Sequence, residues 1–273
     1  MKKLVFYFLY GSGIARFIAW INRRRVMILC YHGVTERSSR NPRDVFGLHV
    51  RQDRFERQLS YLRKKYRVLS LTEYLEKRER PQSLPSYSVV VTFDDGYRNF
   101  VTAAAPILKR VQIPACVFVI TDRTTDRQAG DLNWADTDDE SYLSWSEIAE
   151  LRSQGFEFGS HTCSHPRLPD LSEPEMSREL SKSKAELACR LRSEALPLAY
   201  PFGLISETVI SRSREAGYAC GLTTDPGFNE AGTDLFKLRR TLIGDDDDIA
   251  AFATRLSRLT RWLSIASSVI GRG

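Results

Sequence analysis

Histidine is scarce in this chain: only four occur among its 273 residues, at positions 32, 49, 161 and 165. A protein that uses imidazole for catalysis or metal binding therefore has few candidates, and none follows His165. The five cysteines are widely spaced and include no CxxC pair. That spacing disfavours both a structural zinc site and a disulfide framework, and it favours buried, reduced thiols.

Acidic residues are absent from the first 30 positions, which hold six basic side chains. This segment accounts for the whole formal net charge of +6, and the remaining residues hold as many acids as bases. A nucleic-acid-binding domain normally carries a basic stripe on its folded face. We therefore expect no nucleic-acid partner.

A long uninterrupted apolar run is also missing. Residues 4–21 are apolar but contain two glycines and Arg16, whereas a membrane-spanning helix needs about 20 apolar residues. We expect residues 1–25 to form a membrane-seeking interfacial segment whose Arg23–Arg25 cluster meets anionic headgroups. This predicts a cytoplasmic protein, or one associated with the cytoplasmic face of a membrane. A cleaved signal and an uncleaved anchor, both implying export, stay open as alternatives.

Residues 246–273 form a second basic segment with helical periodicity. Apolar side chains fall on one helical face and arginines on another. The apolar positions are Phe252, Leu256, Leu259 and Leu263. This amphipathic helix is expected either to contact a membrane or to pack on the folded domain.

Between these termini, strand-like and helical patterns alternate. Short apolar runs predict strands at 26–31, 87–93, 114–120, 156–160, 197–200, 218–223 and 236–243. Periodic apolar positions predict helices at 53–66, 98–110, 146–154, 173–192 and 206–216. The polar stretch 121–141 is predicted to be a long loop. Alternation of this kind favours a single α/β domain with a parallel sheet or barrel.

Four polar clusters follow predicted strands. They are His32, Asp94-Asp95, His161 with His165, and Pro201-Phe202-Gly203. In parallel α/β folds, ligands bind at the carboxyl ends of the strands. We therefore expect these side chains to meet on one rim of the sheet.

Two of the clusters suit a metal ion. The i, i+4 spacing of His161 and His165 puts both imidazoles on one face of a helical turn, where they can chelate one cation. With the carboxylate of Asp95, the set leaves positions open for water and substrate, as a catalytic zinc site requires. Asp94 beside it would stay free as a base. The alternative is a strand-to-turn corner with both acids solvated and no metal.

Three segments carry a resemblance to a known family. TFDDG at 92–96, SHTCSHPRL at 160–168 and YPFG at 200–203, in this order within an α/β chain, resemble the polysaccharide deacetylase family, or NodB homology domain. The resemblance implies a catalytic domain over residues 26–245. It also implies a distorted (β/α) barrel with fewer than eight strands.

The resemblance further implies that Asp94 is a general base and that Asp95, His161 and His165 are ligands for a divalent metal, zinc by default. It implies that the backbone N–H of Phe202 binds the oxyanion and that Tyr200 and Pro201 contact the substrate. An arginine that the family carries in its third motif is not matched here, because Ala199 and Tyr200 precede Pro201.

The general acid is the second departure from the family pattern. Many members carry a late Leu-x-His motif whose histidine is this acid, and the present chain has no such histidine. His32, in Leu29-Cys30-Tyr31-His32, is the candidate replacement, an arrangement similar to that of the biofilm poly-N-acetylglucosamine deacetylases. The alternative is a structural histidine at a strand end. His49 matches no motif.

The resemblance implies a metal-dependent hydrolase that removes N-acetyl groups from an amino-sugar polysaccharide or a lipid-linked glycan. Hydrolysis of another C–N amide on the same barrel, such as a small ureide, stays open, as does a non-catalytic glycan-binding relative. Two histidines and one carboxylate also suit Fe(II) in oxygenases. Those enzymes normally have antiparallel β folds, which the alternating pattern opposes.

Overall fold

The computed structural model describes residues 2–35, 47–126 and 141–257. Most of the loop expected at 121–141 lies outside these ranges. Leu259 and Leu263 of the C-terminal segment also lie outside them.

Strands and helices alternate through the described part of the chain, as expected. The strands are β1 (Val26–Tyr31), β2 (Gly33–Thr35), β3 (His49–Arg51), β4 (Arg67–Leu69), β5 (Ser88–Phe93), β6 (Cys116–Val119), β7 (Glu157–Ser160), β8 (Pro197–Ala199), β9 (Cys220–Leu222), β10 (Phe228–Asn229) and β11 (Arg240–Leu242). The α-helices are α1 (Lys2–Gly11), α2 (Ile14–Ile21), α3 (Gln52–Lys65), α4 (Leu71–Arg78), α5 (Ala105–Val111), α6 (Trp145–Ser153), α7 (Glu173–Leu191), α8 (Glu207–Glu215) and α9 (Ile249–Ser257).

One curled sheet organises the domain. Its main path runs β10-β1-β5-β6-β7-β8-β9, while β11 and β4 pair with β1 and β5 off this path. Every pairing except that of β10 with β1 is parallel. The N–H of Thr223, next to β9, donates to Leu238 just before β11 at 2.8 Å, so the sheet curls back towards β1.

The expected distorted (β/α) barrel is confirmed. Its main path holds seven strands, in line with the expected number, and β4 and β11 bring the sheet to nine. The predicted strands and helices all occur close to their predicted positions. Strand β4 was not predicted, because only Leu69 of its three residues is buried and the segment carries no strand pattern. Helix α4 was also missed, although Ser70 caps it by accepting the Glu73 N–H at 3.1 Å.

The core has two layers because side chains alternate across each strand. On β1, Leu29 and Tyr31 pack outward with the helices, together with Phe55 of α3. Ile28 of the same strand points the other way and packs with Phe118 in the interior of the curled sheet. The interior also contains charged side chains at the carboxyl end of the strands, where the candidate site lies.

The two N-terminal helices pack on the last described helix. Helices α1 and α2 form a hairpin, broken at Gly13 with φ of 79°, and both contact α9. Phe252 and Leu256 of α9 are buried. Within the described part of the chain, every helix is too short or too polar to cross a bilayer.

Replacing Gly159 of β7 should strain the barrel next to the candidate histidines. A Cβ at this position would lie 2.6 Å from a ring carbon of Phe118 and 2.7 Å from the carbonyl oxygen of Pro197. We expect Gly159→Ala to lower the free energy of unfolding by about 1–3 kcal/mol, as overpacking does. Gly232→Ala, where a Cβ meets nothing within 4 Å, is the control and should change it little. Equal stability of the two variants in denaturant unfolding would contradict this packing.

Candidate active site

The carboxyl ends of β1, β5 and β7 bring three of the four predicted clusters to one rim. The Asp94 N–H, just after β5, donates to the Tyr31 carbonyl at the end of β1 over 2.9 Å. The His161 N–H, just after β7, donates to the Val119 carbonyl of β6 at 2.8 Å. These backbone bonds extend the sheet by one residue and fix where the two side chains start.

Asp95 turns away from the strand direction towards the histidines. Its φ is 68° and that of Gly96 is 70°, two successive left-handed residues. Only glycine fits at position 96, because a Cβ there would lie 2.8 Å from a methyl carbon of Val119. The turn gives adjacent carboxylates different surroundings: Asp94 is buried in the barrel and Asp95 is half-buried at its mouth.

Asp95, His161 and His165 form a compact group of possible metal ligands. One oxygen of Asp95 lies 3.5 Å from His161 Nε2 and 3.6 Å from His165 Nε2. All three ligand atoms lie within 4.8 Å of one another. His161 Nδ1 lies 2.8 Å from the carbonyl oxygen of Ala199. Since that oxygen can only accept, Nδ1 holds the proton and Nε2 presents its lone pair to the group.

The donor set fits a divalent cation. Burial, together with the neighbouring His161, lowers the pKa of His165 to about 4. His165 is therefore neutral near pH 7 and can act as a ligand. Two neutral imidazoles and one carboxylate are a known catalytic zinc set, and a carbonyl partner behind a ligating histidine is typical of such sites.

The segment between the histidines is not the helical turn that the i, i+4 spacing predicted. It is irregular, with φ of 67° at Thr162 and 64° at His165. The prediction failed because local hydroxyl groups replace the helical bonds: Ser160 Oγ accepts the Thr162 N–H, and Thr162 Oγ1 accepts the His165 N–H. The two rings still converge, with centroids 4.6 Å apart.

Glu179 of α7 holds the outer side of this turn. One of its oxygens accepts the N–H groups of Cys163 and Ser164, both at 3.0 Å, and the other accepts the Ser164 hydroxyl at 2.7 Å. A single carboxylate thus fixes the middle of the segment that carries both histidines. Sequence reasoning missed this residue, because nothing in a helix pattern distinguishes it from the solvated glutamates nearby.

A buried arginine holds Asp94. Arg240 of β11 donates to both oxygens of Asp94, at 2.6 and 2.7 Å, and its Nε donates to the Thr223 carbonyl at 2.9 Å. Arg240 is fully buried. The third motif of this chain lacks the arginine that the family carries there. Arg240 of β11 supplies an arginine at the site instead. The available signal was an arginine within a predicted strand, a position that is costly unless the charge is paired.

The pair sets the charge state of Asp94. Burial alone would raise the pKa of this carboxyl. The charge of Arg240 outweighs burial and holds the pKa well below its usual range, and His161, the hydrogen bonds from Arg240 and the charge of His32 act in the same direction. Asp94 is therefore a carboxylate throughout the neutral range. His161 Nε2 lies 3.9 Å from its second oxygen, so it stands directly beside the metal-ligand group.

His32 reaches the same rim from β1. Together with Cys30 and Asp94 it forms a second group whose ligand atoms lie within 4.8 Å of one another. The Nδ1 atom of His32 is buried, and the described residues offer it no hydrogen-bond partner. Cys30 donates its thiol proton to Asp94 at 3.2 Å, and burial raises the pKa of this thiol well above its ordinary value, against the opposing charge of Arg240. A protonated thiol and an arginine-paired carboxylate make this group a poor cation site.

The third motif contributes one exposed side chain. Phe202, at φ 58°, is 54% exposed, and its ring lies 4.7 Å from that of His165. Tyr200 and Pro201, expected to bind substrate, are buried instead. The Tyr200 hydroxyl donates to the Phe236 carbonyl at 3.2 Å, and the ring fills the space beside Gly221. Tyr200 therefore packs the core below the site, and the accessible part of the motif is Phe202.

The four histidines separate into two groups. Three stand at the rim, whereas His49 lies in β3, packed edge-on against the Tyr97 ring with centroids 4.9 Å apart. Its Nδ1 lies 3.5 Å from the side-chain amide nitrogen of Asn99.

Comparison with known proteins places this geometry in a family. The family model for polysaccharide deacetylase matches residues 82–221. A poly-β-1,6-N-acetyl-D-glucosamine N-deacetylase of Staphylococcus aureus is 27% identical over 214 residues, covering 75% of this chain and 71% of its own. The Streptococcus pyogenes deacetylase PplD, solved with acetate, has a TM-score of 0.72 and 27% identity, covering 85% of this chain and 98% of its own. The structure of IcaB from Ammonifex degensii has a TM-score of 0.70 and 27% sequence identity, covering 84% of this chain and 97% of its own.

Glu179 can be tested by metal affinity in the absence of any substrate. We expect Glu179→Ala to weaken zinc binding by about 10- to 100-fold, as loss of an outer ligand support does. Glu179→Gln should largely restore it, because the amide oxygen can still accept both N–H groups. Glu186→Ala, on the same helix about two turns away, is the matched control. Wild-type zinc affinity in Glu179→Ala, measured by competition with a chelating dye, would contradict the role.

Arg240 can be tested through stability. Arg240→Gln leaves the Asp94 carboxylate buried without its partner, which should cost about 3–5 kcal/mol of unfolding free energy at neutral pH. The loss should shrink on acidification, because protonation of Asp94 removes the uncompensated charge. Arg239→Gln, the exposed neighbour with the same change of charge, should lose far less. Equal unfolding free energies for the two variants would show that the Arg240–Asp94 pair does not stabilise the fold by this amount.

Proposed function

Because the chain belongs to the polysaccharide deacetylase family, we propose that it is a metal-dependent hydrolase that removes N-acetyl groups from an amino-sugar polymer. The observation that carries this proposal is the meeting of three features on one rim. They are the group formed by Asp95, His161 and His165, the arginine-held carboxylate of Asp94, and His32 beside it.

The first of these features is the proposed metal site. Asp95, His161 and His165 would hold a divalent cation, with zinc favoured by the two imidazoles and one carboxylate. When bound, such a cation supplies a Lewis acid for the acetyl carbonyl and lowers the pKa of water. Asp95 and the half-exposed His165 keep the open side of the group towards solvent, from which substrate must enter.

Asp94 acts as the general base. Its carboxylate takes the proton from the attacking water, whose oxygen then bonds to the acetyl carbonyl carbon. Both oxygens accept from Arg240, and Oδ2 also accepts from the Cys30 thiol. Oδ1 keeps a further lone pair, so the arginine orients the base and leaves this oxygen able to accept a proton. Arg240 is thus a positioning residue for Asp94.

Phe202 and His32 serve the two other demands of the reaction. The backbone N–H of Phe202 donates to the oxyanion that develops on the carbonyl oxygen. His32 then gives a proton to the nitrogen of the departing amino sugar as the C–N bond breaks, and acetate is released. Its buried Nδ1, which has no hydrogen-bond partner among residues 2–35, 47–126 and 141–257, fits a histidine whose ring is placed for a bound ligand.

The relatives support the choice of substrate class. The Staphylococcus aureus relative is named for poly-β-1,6-N-acetyl-D-glucosamine, and PplD was solved with acetate, the expected second product. We therefore propose a β-linked N-acetylglucosamine polymer as the first substrate to test. Lipid-linked acetylated glycans and small ureides form the comparison set.

The direct test is acetate release by metal-depleted and zinc-restored protein. We expect acetate from poly-β-1,6-N-acetylglucosamine oligomers only after zinc is restored, and little from small ureides. Ureide hydrolysis without acetate release would assign the chain to another C–N amide chemistry. Glycan binding with no acetate release from any acetylated glycan, at full zinc content, would make it a non-catalytic relative.

Two substitutions test the proposed base and the proposed acid without altering a proposed metal ligand. We expect Asp94→Asn and His32→Gln each to lower kcat by about 100-fold or more, the usual contribution of a positioned acid or base. Both should retain one zinc per chain, because neither residue belongs to the proposed ligand set. Asp94→Asn also leaves Arg240 unpaired, so it is assayed well below its unfolding temperature. Full activity in either variant would remove that residue from the mechanism.

A further inference from the structure

The N-terminal hairpin exposes an unusual amount of apolar surface. Among the described residues, eight large apolar side chains are exposed, and six of them belong to α1 and α2. We define these six as the hairpin surface: Tyr7, Phe8, Ile14, Phe17, Trp20 and Ile21. Phe8 is 68% exposed and Phe17 62%. Concentrated exposure of this kind marks an interaction surface, whereas single exposed apolar residues are ordinary.

The hairpin is anchored on its other side. Among its described side chains, Leu9 and Ala15 are buried, and both helices contact α9. Ile14, Phe17 and Ile21 follow the spacing that places side chains on one helical face. The exposed face is therefore held outward by packing on the domain.

Basic side chains surround the hairpin surface. Arg16 and Arg24 are exposed, and the Arg23 guanidinium lies 4.7 Å from the Trp20 ring centroid. Arg25 is paired with Glu230 at 3.0 Å, but no acidic residue occurs in the first 30 positions of the chain. An apolar face with tryptophan and tyrosine, bordered by arginines, is the composition of helices that lie in the interface of anionic membranes.

We propose that the hairpin surface binds an anionic phospholipid membrane, with its aromatic side chains among the acyl boundary and Arg16 and Arg24 against the headgroups. A two-fold pairing of chains through the same surface would bring these arginines face to face. Residues 258–273 also contain three arginines and no acid, so they lack complementary charge. An anionic lipid surface satisfies both the apolar and the basic parts of the hairpin surface.

The position of the hairpin keeps the candidate active site open. The carbonyl of Arg23 accepts the Tyr87 N–H just before β5, at the amino end of the strands. Helix α1 reaches the other end, where the Tyr7 hydroxyl donates to Asp248 at 3.3 Å. The hairpin surface thus runs along the side of the barrel and does not cover the rim. A membrane-bound protein could then deacetylate a polymer above the bilayer.

Vesicle cosedimentation of the full chain tests the proposal. We expect binding to vesicles of phosphatidylcholine mixed with phosphatidylserine, weaker binding to phosphatidylcholine alone, and loss of binding at raised ionic strength. The double variants Phe17→Gln/Trp20→Gln and Arg16→Gln/Arg24→Gln should each bind about tenfold more weakly or worse. Leu235→Gln, at an exposed leucine far from the hairpin in sequence, is the control and should bind as wild type does.

Other occupants give distinct results. If the chain does not bind anionic vesicles, or if Phe17→Gln/Trp20→Gln binds like wild type, the proposal is wrong. It is also wrong if the full chain dimerises through these residues and stays off vesicles, as analytical ultracentrifugation of the same variants would reveal. Zinc binding by both double variants should stay at the wild-type level, which verifies that they are folded. Vesicle binding does not depend on deacetylation, so failure of either proposal leaves the other testable.

Discussion

The ion pair between Arg240 and Asp94 is the interaction on which the site depends. Asp94 stands at the end of β5 inside the barrel, where an isolated carboxylate would be expensive and would take up a proton. Arg240 cancels that cost with two hydrogen bonds and holds the carboxylate in one orientation. The proposed base is thereby charged and fixed before any substrate or metal binds. Removing the arginine would leave this carboxylate buried without its partner and without a fixed orientation.

The same pair explains how distant parts of the chain form one site. Strand β1 pairs with β5 on one side and with β11 on the other. His32 follows β1, Asp94 follows β5 and Arg240 lies in β11, so all three come from adjacent strands. The third motif lacks its arginine and the late histidine is missing, yet β11 supplies an arginine and β1 a histidine at the same rim. The proposed chemistry requires these groups at the rim and does not require a particular order along the chain.

Much of this arrangement could be predicted from the sequence. The buried strands gave strong apolar runs, and the polar residues that follow them had to meet because the carboxyl ends of parallel strands share one edge. That reasoning placed Asp94, Asp95 and all three rim histidines. It could not give the conformation of the turn after β7, because the hydroxyls of Ser160 and Thr162 compete locally with helical bonds.

Other features depended on contacts that only the folded chain reveals. Glu179 lies in α7 and contacts the turn between the two histidines. Because the sequence holds many similar glutamates, this contact could not be predicted. Tyr200 adjoins a functional motif, but strand alternation turns its ring into the core against Gly221. Whether residues 1–25 contact a membrane also stays a prediction, although the outward face of the hairpin now defines which side chains would do so.

X-ray absorption at the zinc edge of the zinc-loaded chain tests the central claim most directly, because two ligand groups compete on the same rim. The account assigns the metal to Asp95, His161 and His165. It therefore predicts a nitrogen and oxygen shell at about 2.0–2.2 Å with imidazole scattering and no sulfur. A sulfur ligand at about 2.3 Å would place zinc with Cys30, His32 and Asp94. That result would contradict the assignment of the metal site and of Asp94 as a free base.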